Sequence, residues 1–430
     1  MKIIKLTFIC LFLLTFHYNL FSQAQIDINI KGLNDSVFYL IKYKSDKTHA
    51  IIDTSSISQK KKSFTNNTLY EEGIYVLADS KQQPVFEILI GIDQTFSIHI
   101  DELMDNKTYK VKGSKETSAY FKVIAMTTHY NLYIDALRSE INKNPNNKNK
   151  IDSISDIVLD YQENMLSKDE NSFLNTYIKC IEKIYIPDSL RDKKSRKDAY
   201  IVDHYFDEIP LCDSRILNSR LLKHKLDDYF NNYIFYLDSE SICKHIDALI
   251  NKVNDCKEVR DYILWYLYSH YFTPENIKHE SVFIYIVDNY FSRLDIENLS
   301  DNLRKDIIER ADVLRNIIIG ANAPIISYSD ENDSIISLND IVDKNIVIFF
   351  FKADCQKCIK EKRILNLIKS RHKDLEVITI DITDETIYSD IIHQYDIMTS
   401  PTLFLLDKNK KIIAKNIKAE DIEVYLIRVN

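Results

Sequence analysis

Ile346-Val347-Ile348-Phe349-Phe350-Phe351-Lys352-Ala353-Asp354-Cys355-Gln356-Lys357-Cys358-Ile359-Lys360-Glu361 is the stretch whose reading decides the fold. Its six leading apolar residues, rich in β-branched and aromatic types, predict a strand buried on both faces. The run ends in a C-x-x-C. From there Cys358, Glu361, Ile364, Leu365 and Ile368 follow helical spacing. A thiol at a helix N-terminus meets unpaired backbone N–H groups and the positive end of the dipole, and both favour thiolate over thiol. The second cysteine, one turn along, is within reach of a mixed disulfide formed at the first. This arrangement suits thiol–disulfide exchange. Zinc would need a second ligand pair at short spacing, and the sequence has neither another C-x-x-C nor a nearby H-x-x-x-H.

Further along, Thr399-Ser400-Pro401-Thr402-Leu403-Phe404-Leu405-Leu406-Asp407 sets a proline at the opening of an apolar run. Proline can begin a strand, although it cannot sit inside a central one. Together with Gly320-Ala321-Asn322-Ala323-Pro324, which looks like a G-x-x-A-P start, residues 320–430 resemble the thioredoxin fold of the TlpA/ResA-like extracytoplasmic thiol–disulfide oxidoreductases. The resemblance implies a cis proline at Pro401 beside the cysteine pair, with Ser400 and Thr402 at the substrate edge. It also implies an acid near the active site at Glu361. Three positions depart from thioredoxin itself. Asp354 stands where tryptophan precedes the first cysteine, Gln356-Lys357 replace Gly-Pro, and Phe349 replaces the buried acid. The P-x-x-x-T-x-x-C pattern of peroxiredoxins is missing. These departures bear on redox potential and direction more than on the chemistry.

The chain's 430 residues suit about three domains. An apolar content of 45% with 28% charged residues describes a folded protein, and a net charge of −8 with interspersed signs gives no argument for nucleic acid. With only five glycines, many turns fall to Asn, Asp and Ser. Lys2 and Lys5, the apolar run Leu6–Phe16 and Ser22-Gln23-Ala24 read as a secretory signal peptide over residues 1–24, cleaved before Gln25. Cys10 invites a lipid anchor, but it lies inside the apolar run after Ile9, where a small residue is expected. Export to the periplasm puts the cysteine pair in an oxidising compartment.

Period-two patterning at Ile26/Ile28/Ile30, Val37/Tyr39/Ile41/Tyr43, Ile74/Val76, Phe86/Ile88/Ile90 and Phe96/Ile98/Ile100 predicts a mostly antiparallel β domain. Gly73-Ile74-Tyr75, Asp93-Gln94-Thr95-Phe96-Ser97 and Val111-Lys112-Gly113-Ser114 resemble a β domain of unknown function found before TlpA-like domains. From about residue 115 the period turns helical, as in Ile151/Ile154/Ile157/Val158/Tyr161/Met165 and Ile242/Ile246/Leu249/Ile250. Asn142–Lys150 reads as a polar loop and Arg191–Lys197 as a charged connector. Tyr205–Leu211 and Asp213–Leu217 resemble a helical domain that precedes thioredoxin modules. The expected fold class is therefore multidomain: an N-terminal antiparallel β domain, β-sandwich-like, over 25–114, an all-α middle domain over 115–317, and a C-terminal α/β thioredoxin fold over 320–430. A helix over about 300–319 should stop at Gly320.

Cys180, Cys212, Cys243 and Cys256 lie in the helical stretch. Cys180, among Ile178, Ile181 and Ile184, reads as a packed free thiol. Cys243 and Cys256 on one continuous helix would stand about 20 Å apart, beyond any disulfide, unless a turn near Asn254-Asp255 intervenes. The functional expectation is a periplasmic thiol–disulfide oxidoreductase. Cys355 is its attacking thiolate and Cys358 its resolving thiol, with disulfide-containing exported proteins as substrates, a membrane or periplasmic electron donor and no cofactor. Residues 320–430 contain all these groups and are of a size to fold alone. The rival reading is a binding protein that uses the thioredoxin fold as scaffold.

Overall fold

The computed structural model describes residues 23–31, 37–43, 49–58, 61–101, 109–191, 193–273, 279–329 and 335–429. The signal-peptide reading, Cys10 included, lies outside the described residues apart from Gln23 and Ala24. The chain divides into two compact units, Met1–Phe235 and Tyr236–Asn430.

In the first unit the period-two runs become strands β1 (Ala24–Ile30), β2 (Tyr39–Tyr43), β3 (His49–Thr54), β4 (Ser56–Ser58), β5 (Lys61–Asn66), β6 (Gly73–Ala78), β7 (Pro84–Ile90), β8 (Thr95–Ile100) and β9 (Tyr109–Lys112). They form a five-stranded sheet, β4-β5-β1-β8-β9, and a four-stranded one, β3-β2-β6-β7. The expected antiparallel pairing holds with one exception: β1 and β8 run parallel, Ile26 opposite Phe96 and Ile28 opposite Ile98. A parallel pair needs a long crossover, and here the whole second sheet lies between the two strands in sequence. Ile26, Ile28, Phe38, Phe64 and Phe96 bury one shared core. Tyr120 and Phe121 of the helix Lys115–Ser139 join it, as do Phe173 and Ile178 of the helix Phe173–Ile181.

Gly113 makes the passage from sheet to helix. Its φ is +101°, and an added Cβ would stand 2.4 Å from the Thr95 carbonyl oxygen. Ser114 then caps the helix, its hydroxyl accepting the Thr117 N–H at 3.2 Å. Two expected connectors are shorter than their charge suggested. Helices begin at Asn147, inside Asn142–Lys150, and at Lys194, inside Arg191–Lys197. Lysine and arginine are good helix formers, so a charged run is as compatible with a solvated helix as with a loop.

The second unit opens with the helices Ser239–Lys252, Lys257–Phe272, Glu280–Ile286 and Asp301–Ile317. Ser300 caps the last of these, accepting the Leu303 N–H at 3.3 Å, and Gly320 follows its end with φ +93°. The chain then forms β10 (Ser327–Ser329), β11 (Ile335–Ser337), β12 (Asn345–Phe351), β13 (Leu375–Asp381), β14 (Thr402–Leu406) and β15 (Ile412–Lys415). The sheet order is β13-β12-β14-β15; β13 runs parallel to β12, while β14 is antiparallel to both β12 and β15. Residues 345–350 of β12 are all buried, as the double-faced apolar run requires. The Gly320–Pro324 segment is stitched to the sheet edge by Gly320 N–H to the Ile412 carbonyl at 2.8 Å and Ala323 N–H to the Lys410 carbonyl at 2.9 Å.

In this unit the 320–430 segment packs with the helices that precede it. The unit's compact body begins at Tyr236, and Lys415 of β15 is buried against Glu280, with Nζ 2.6 Å from the carboxylate. No described helix is long and apolar enough to cross a membrane.

Cys180 and Cys243 are free and buried, so Cys243 is not paired with Cys256. The helix Ser239–Lys252 also ends before Cys256. Burial pushes the thiols of Cys180 and Cys243 up to about 12. At pH 8 the thiolate fraction of each is then on the order of 10⁻⁴, and the thiolate is the reactive form. In the native chain both cysteines should stay unmodified by iodoacetamide at pH 8 and react fully after unfolding. Peptide mapping that finds either one alkylated in the folded protein would refute their burial.

Candidate active site

The end of β12 builds the site. Past Phe351 the strand has no further partner, and its next N–H groups turn to side chains. Lys352 N–H donates to Ser400 Oγ at 3.1 Å and Ala353 N–H to Thr383 Oγ1 at 2.8 Å. Cys355 then occupies the N-cap of the helix Gln356–Arg371, with φ −88° and ψ 110°. Its sulfur accepts the Cys358 N–H at 3.2 Å, so the thiol position of the first cysteine is set by the helix's own unsatisfied donors. Cys355 is half-buried and Cys358 is 1% exposed. The two are joined as a disulfide with Cα atoms 5.2 Å apart.

The Ser400–Pro401 peptide bond is cis. This loop lies on the cysteines: the Ser400 carbonyl oxygen is 3.9 Å from Cys355 Sγ, and Ser400 Oγ is 3.2 Å from Cys358 Sγ. Because Ser400 Oγ already accepts the Lys352 N–H, its own hydrogen is free to point at the buried sulfur. Thr402, expected at the substrate edge, is 5% exposed, and its hydroxyl donates to the Thr399 carbonyl at 2.6 Å. It therefore shapes the loop from within. Glu361, expected near the reacting groups, has Oε2 accepting the Ala419 N–H at 2.6 Å. That bond ties the active-site helix to the C-terminal segment, a holding task one turn beyond Cys358.

Lys352 pairs with Glu385, a contact that holds its ammonium above the usual lysine range. Asp354, Lys357 and Lys360 stay exposed around the helix start. Phe349 fills the position of the buried acid with a side chain that is 0% exposed and stacks on Phe351 at 5.5 Å. Thr383 was not foreseen. Its partner is a backbone N–H 30 residues away, which no local pattern announces.

A cysteine pair at a helix start, a cis proline laid against it and the β13-β12-β14-β15 sheet define a thioredoxin-fold domain, and this one is TlpA/ResA-like. The chain is similar to the thiol-disulfide oxidoreductase ResA of Bacillus cereus, at 27% identity over 135 residues, which covers 26% of this chain and 78% of the relative. It is also similar to ResA of Bacillus thuringiensis subsp. konkukian, at 29% identity over 137 residues with the same shares. Among solved structures, a thioredoxin-like protein from Bacteroides caccae aligns with a TM-score of 0.48 at 18% identity, covering 57% of this chain and 98% of that one. Residues 131–316 match a family model described as a domain of unknown function, DUF5106.

A reduced Cys358 offers Ser400 Oγ an S–H donor as well as a sulfur acceptor, whereas a disulfide sulfur offers only a weak acceptor, so Ser400 favours the reduced pair. Ser400→Ala should therefore move the equilibrium with glutathione toward the protein disulfide by about three- to tenfold. An alkylation mass-shift titration measures it, and an unchanged constant would show that the hydroxyl has no differential effect on the two states.

Proposed function

We propose that the chain is a periplasmic thiol–disulfide oxidoreductase acting on disulfides of exported proteins. The observation that carries this reading is the unequal exposure of two sulfurs under one loop, Cys355 half-buried at the helix cap and Cys358 closed in behind it. In the reducing direction the Cys355 thiolate attacks one sulfur of a substrate disulfide. A Cys355–substrate bond forms, the substrate S–S bond breaks, and the departing thiolate takes a proton from solvent. Cys358, deprotonated, then attacks the Cys355 sulfur, closing the internal disulfide and releasing the second substrate thiolate. The substrate gains two electrons and the protein loses two. A dithiol donor at the membrane or in the periplasm returns them. Run backwards, the same steps oxidise a substrate dithiol.

In this scheme Pro401 and Ser400 present the loop against which the substrate backbone lies, and Thr402 holds that loop's shape. Glu361 serves by fixing the helix. A scaffold without redox chemistry has no use for a capped first sulfur and a buried second one.

Cys355→Ser should abolish reduction of a test disulfide, whereas Cys358→Ser should accumulate mixed disulfides on Cys355, because the resolving attack is lost. Non-reducing electrophoresis of envelope extracts reads the difference. If Cys358→Ser captures no more covalent partners than the double variant, the two roles are wrongly assigned.

A further inference from the structure

The helix Asp301–Ile317 carries Arg310, which belongs to the segment matched by the domain of unknown function. Its guanidinium reaches the loop that leads to Pro401. Nε and Nη2 donate to the two Asp396 carboxylate oxygens at 3.2 and 3.1 Å, and Nη2 also lies 3.2 Å from Met398 Sδ. On the helical side, Nη2 donates to the Phe272 carbonyl at 2.9 Å. The guanidinium carbon sits 3.6 Å from the centre of the Phe272 ring and 5.2 Å from that of Phe283. The pair is mostly enclosed, with side-chain exposures of 15% and 19%. A planar fork stacked on an aromatic face and bidentate to a carboxylate is a geometry lysine cannot reproduce. Asp396 itself has φ +45°, the left-handed backbone that aspartate and asparagine adopt more readily than other non-glycine residues, so the chain turns sharply at the clamped side chain. From this fixed point the chain runs through Met398 to Ser400, whose hydroxyl and carbonyl meet the two sulfurs.

We propose that Arg310 is a positioning residue for disulfide exchange: by clamping Asp396 and Met398 to the helical segment, it sets the Ser400–Pro401 loop against Cys355 and Cys358. The inference rests on the exchange function proposed above, and it gives the domain of unknown function a task in that chemistry. Arg310 touches neither sulfur and acts only through the loop. Loosening the clamp withdraws Ser400 from Cys358, and the reduced state loses more than the oxidised one.

The test uses the full chain and the exchange of its disulfide with two glutathione thiols, giving protein dithiol and glutathione disulfide. Arg310→Lys keeps the charge and loses the fork, while Asp396→Asn keeps the shape and loses the ion pair. Asp247→Asn is the stability control, since Asp247 belongs to the same unit but accepts the Tyr285 hydroxyl at 2.6 Å within the helical segment. Glu280 would not serve, because it and Lys415 feel the charges of Asp396 and Arg310. Arg310→Lys and Asp396→Asn should each shift the equilibrium toward the protein disulfide about threefold or more, and the double variant should go no further than the larger single shift. Asp247→Asn should lower Tm and leave the constant where it is. The inference is overturned if the clamp variants melt lower with an unchanged constant, or if Asp247→Asn shifts the constant as far as they do. A wild-type chain with no reversible couple would instead sink the exchange function itself, which separates the two failures.

Discussion

The bond from Lys352 N–H to Ser400 Oγ joins the end of the central strand to the loop of the cis proline, and the reactive site depends on it. β12 is buried over its length, so where it stops is fixed by the core. Its first N–H beyond the sheet takes a serine hydroxyl as acceptor, which leaves that hydroxyl one hydrogen to offer a sulfur. Three residues after Lys352, Cys355 caps a helix, and its sulfur accepts the Cys358 N–H, one of that helix's free donors. Strand end and helix start both meet the loop at Ser400, the strand through the Lys352 N–H and the helix through the Cys358 sulfur.

Around this site the second unit encloses charge as well as apolar surface. Burial pushes the Glu280 carboxyl up and the Lys415 ammonium down, while their contact pulls each back toward the charged form. A buried pair of this kind is weak evidence for net stability, yet removing one partner typically costs about 3–5 kcal/mol. Glu280 precedes the thioredoxin segment and Lys415 ends its last strand, so the helices and the sheet of this unit share one interior. Arg310 and Asp396 repeat the pattern next to the reactive loop, with a bidentate ion pair that is partly open to water.

The parts of this architecture that were legible in sequence are those with local periodicity or punctuation. The apolar run of β12, the C-x-x-C at a helix start, Pro401 ahead of β14 and the stop at Gly320 each carry their own physical signature. β3 and β5 did not, because in His49–Thr54 and Lys61–Asn66 polar residues blur the alternation, and in β5 Phe64 alone anchors the strand in the core. The helix starts at Asn147 and Lys194 were hidden by charge, which fits loop and solvated helix equally. Glu361 was placed by likeness to a family, and only its side-chain direction reveals the bond to Ala419. The Arg310–Asp396 clamp spans 86 residues, and a single sequence has no means of pairing one arginine among many bases with one aspartate among many acids.

In the proposed function Cys355 and Cys358 cycle as one two-electron couple in the folded chain. The most direct measurement is a redox titration of the full protein in glutathione buffers, quenched by alkylation and read by mass on the peptide that holds both cysteines. The expected result is one transition in which both thiols appear together, on a two-electron slope, with Cys180 unlabelled throughout. A pair that stays oxidised or stays reduced across the whole range, or cysteines that label independently of each other, would contradict it.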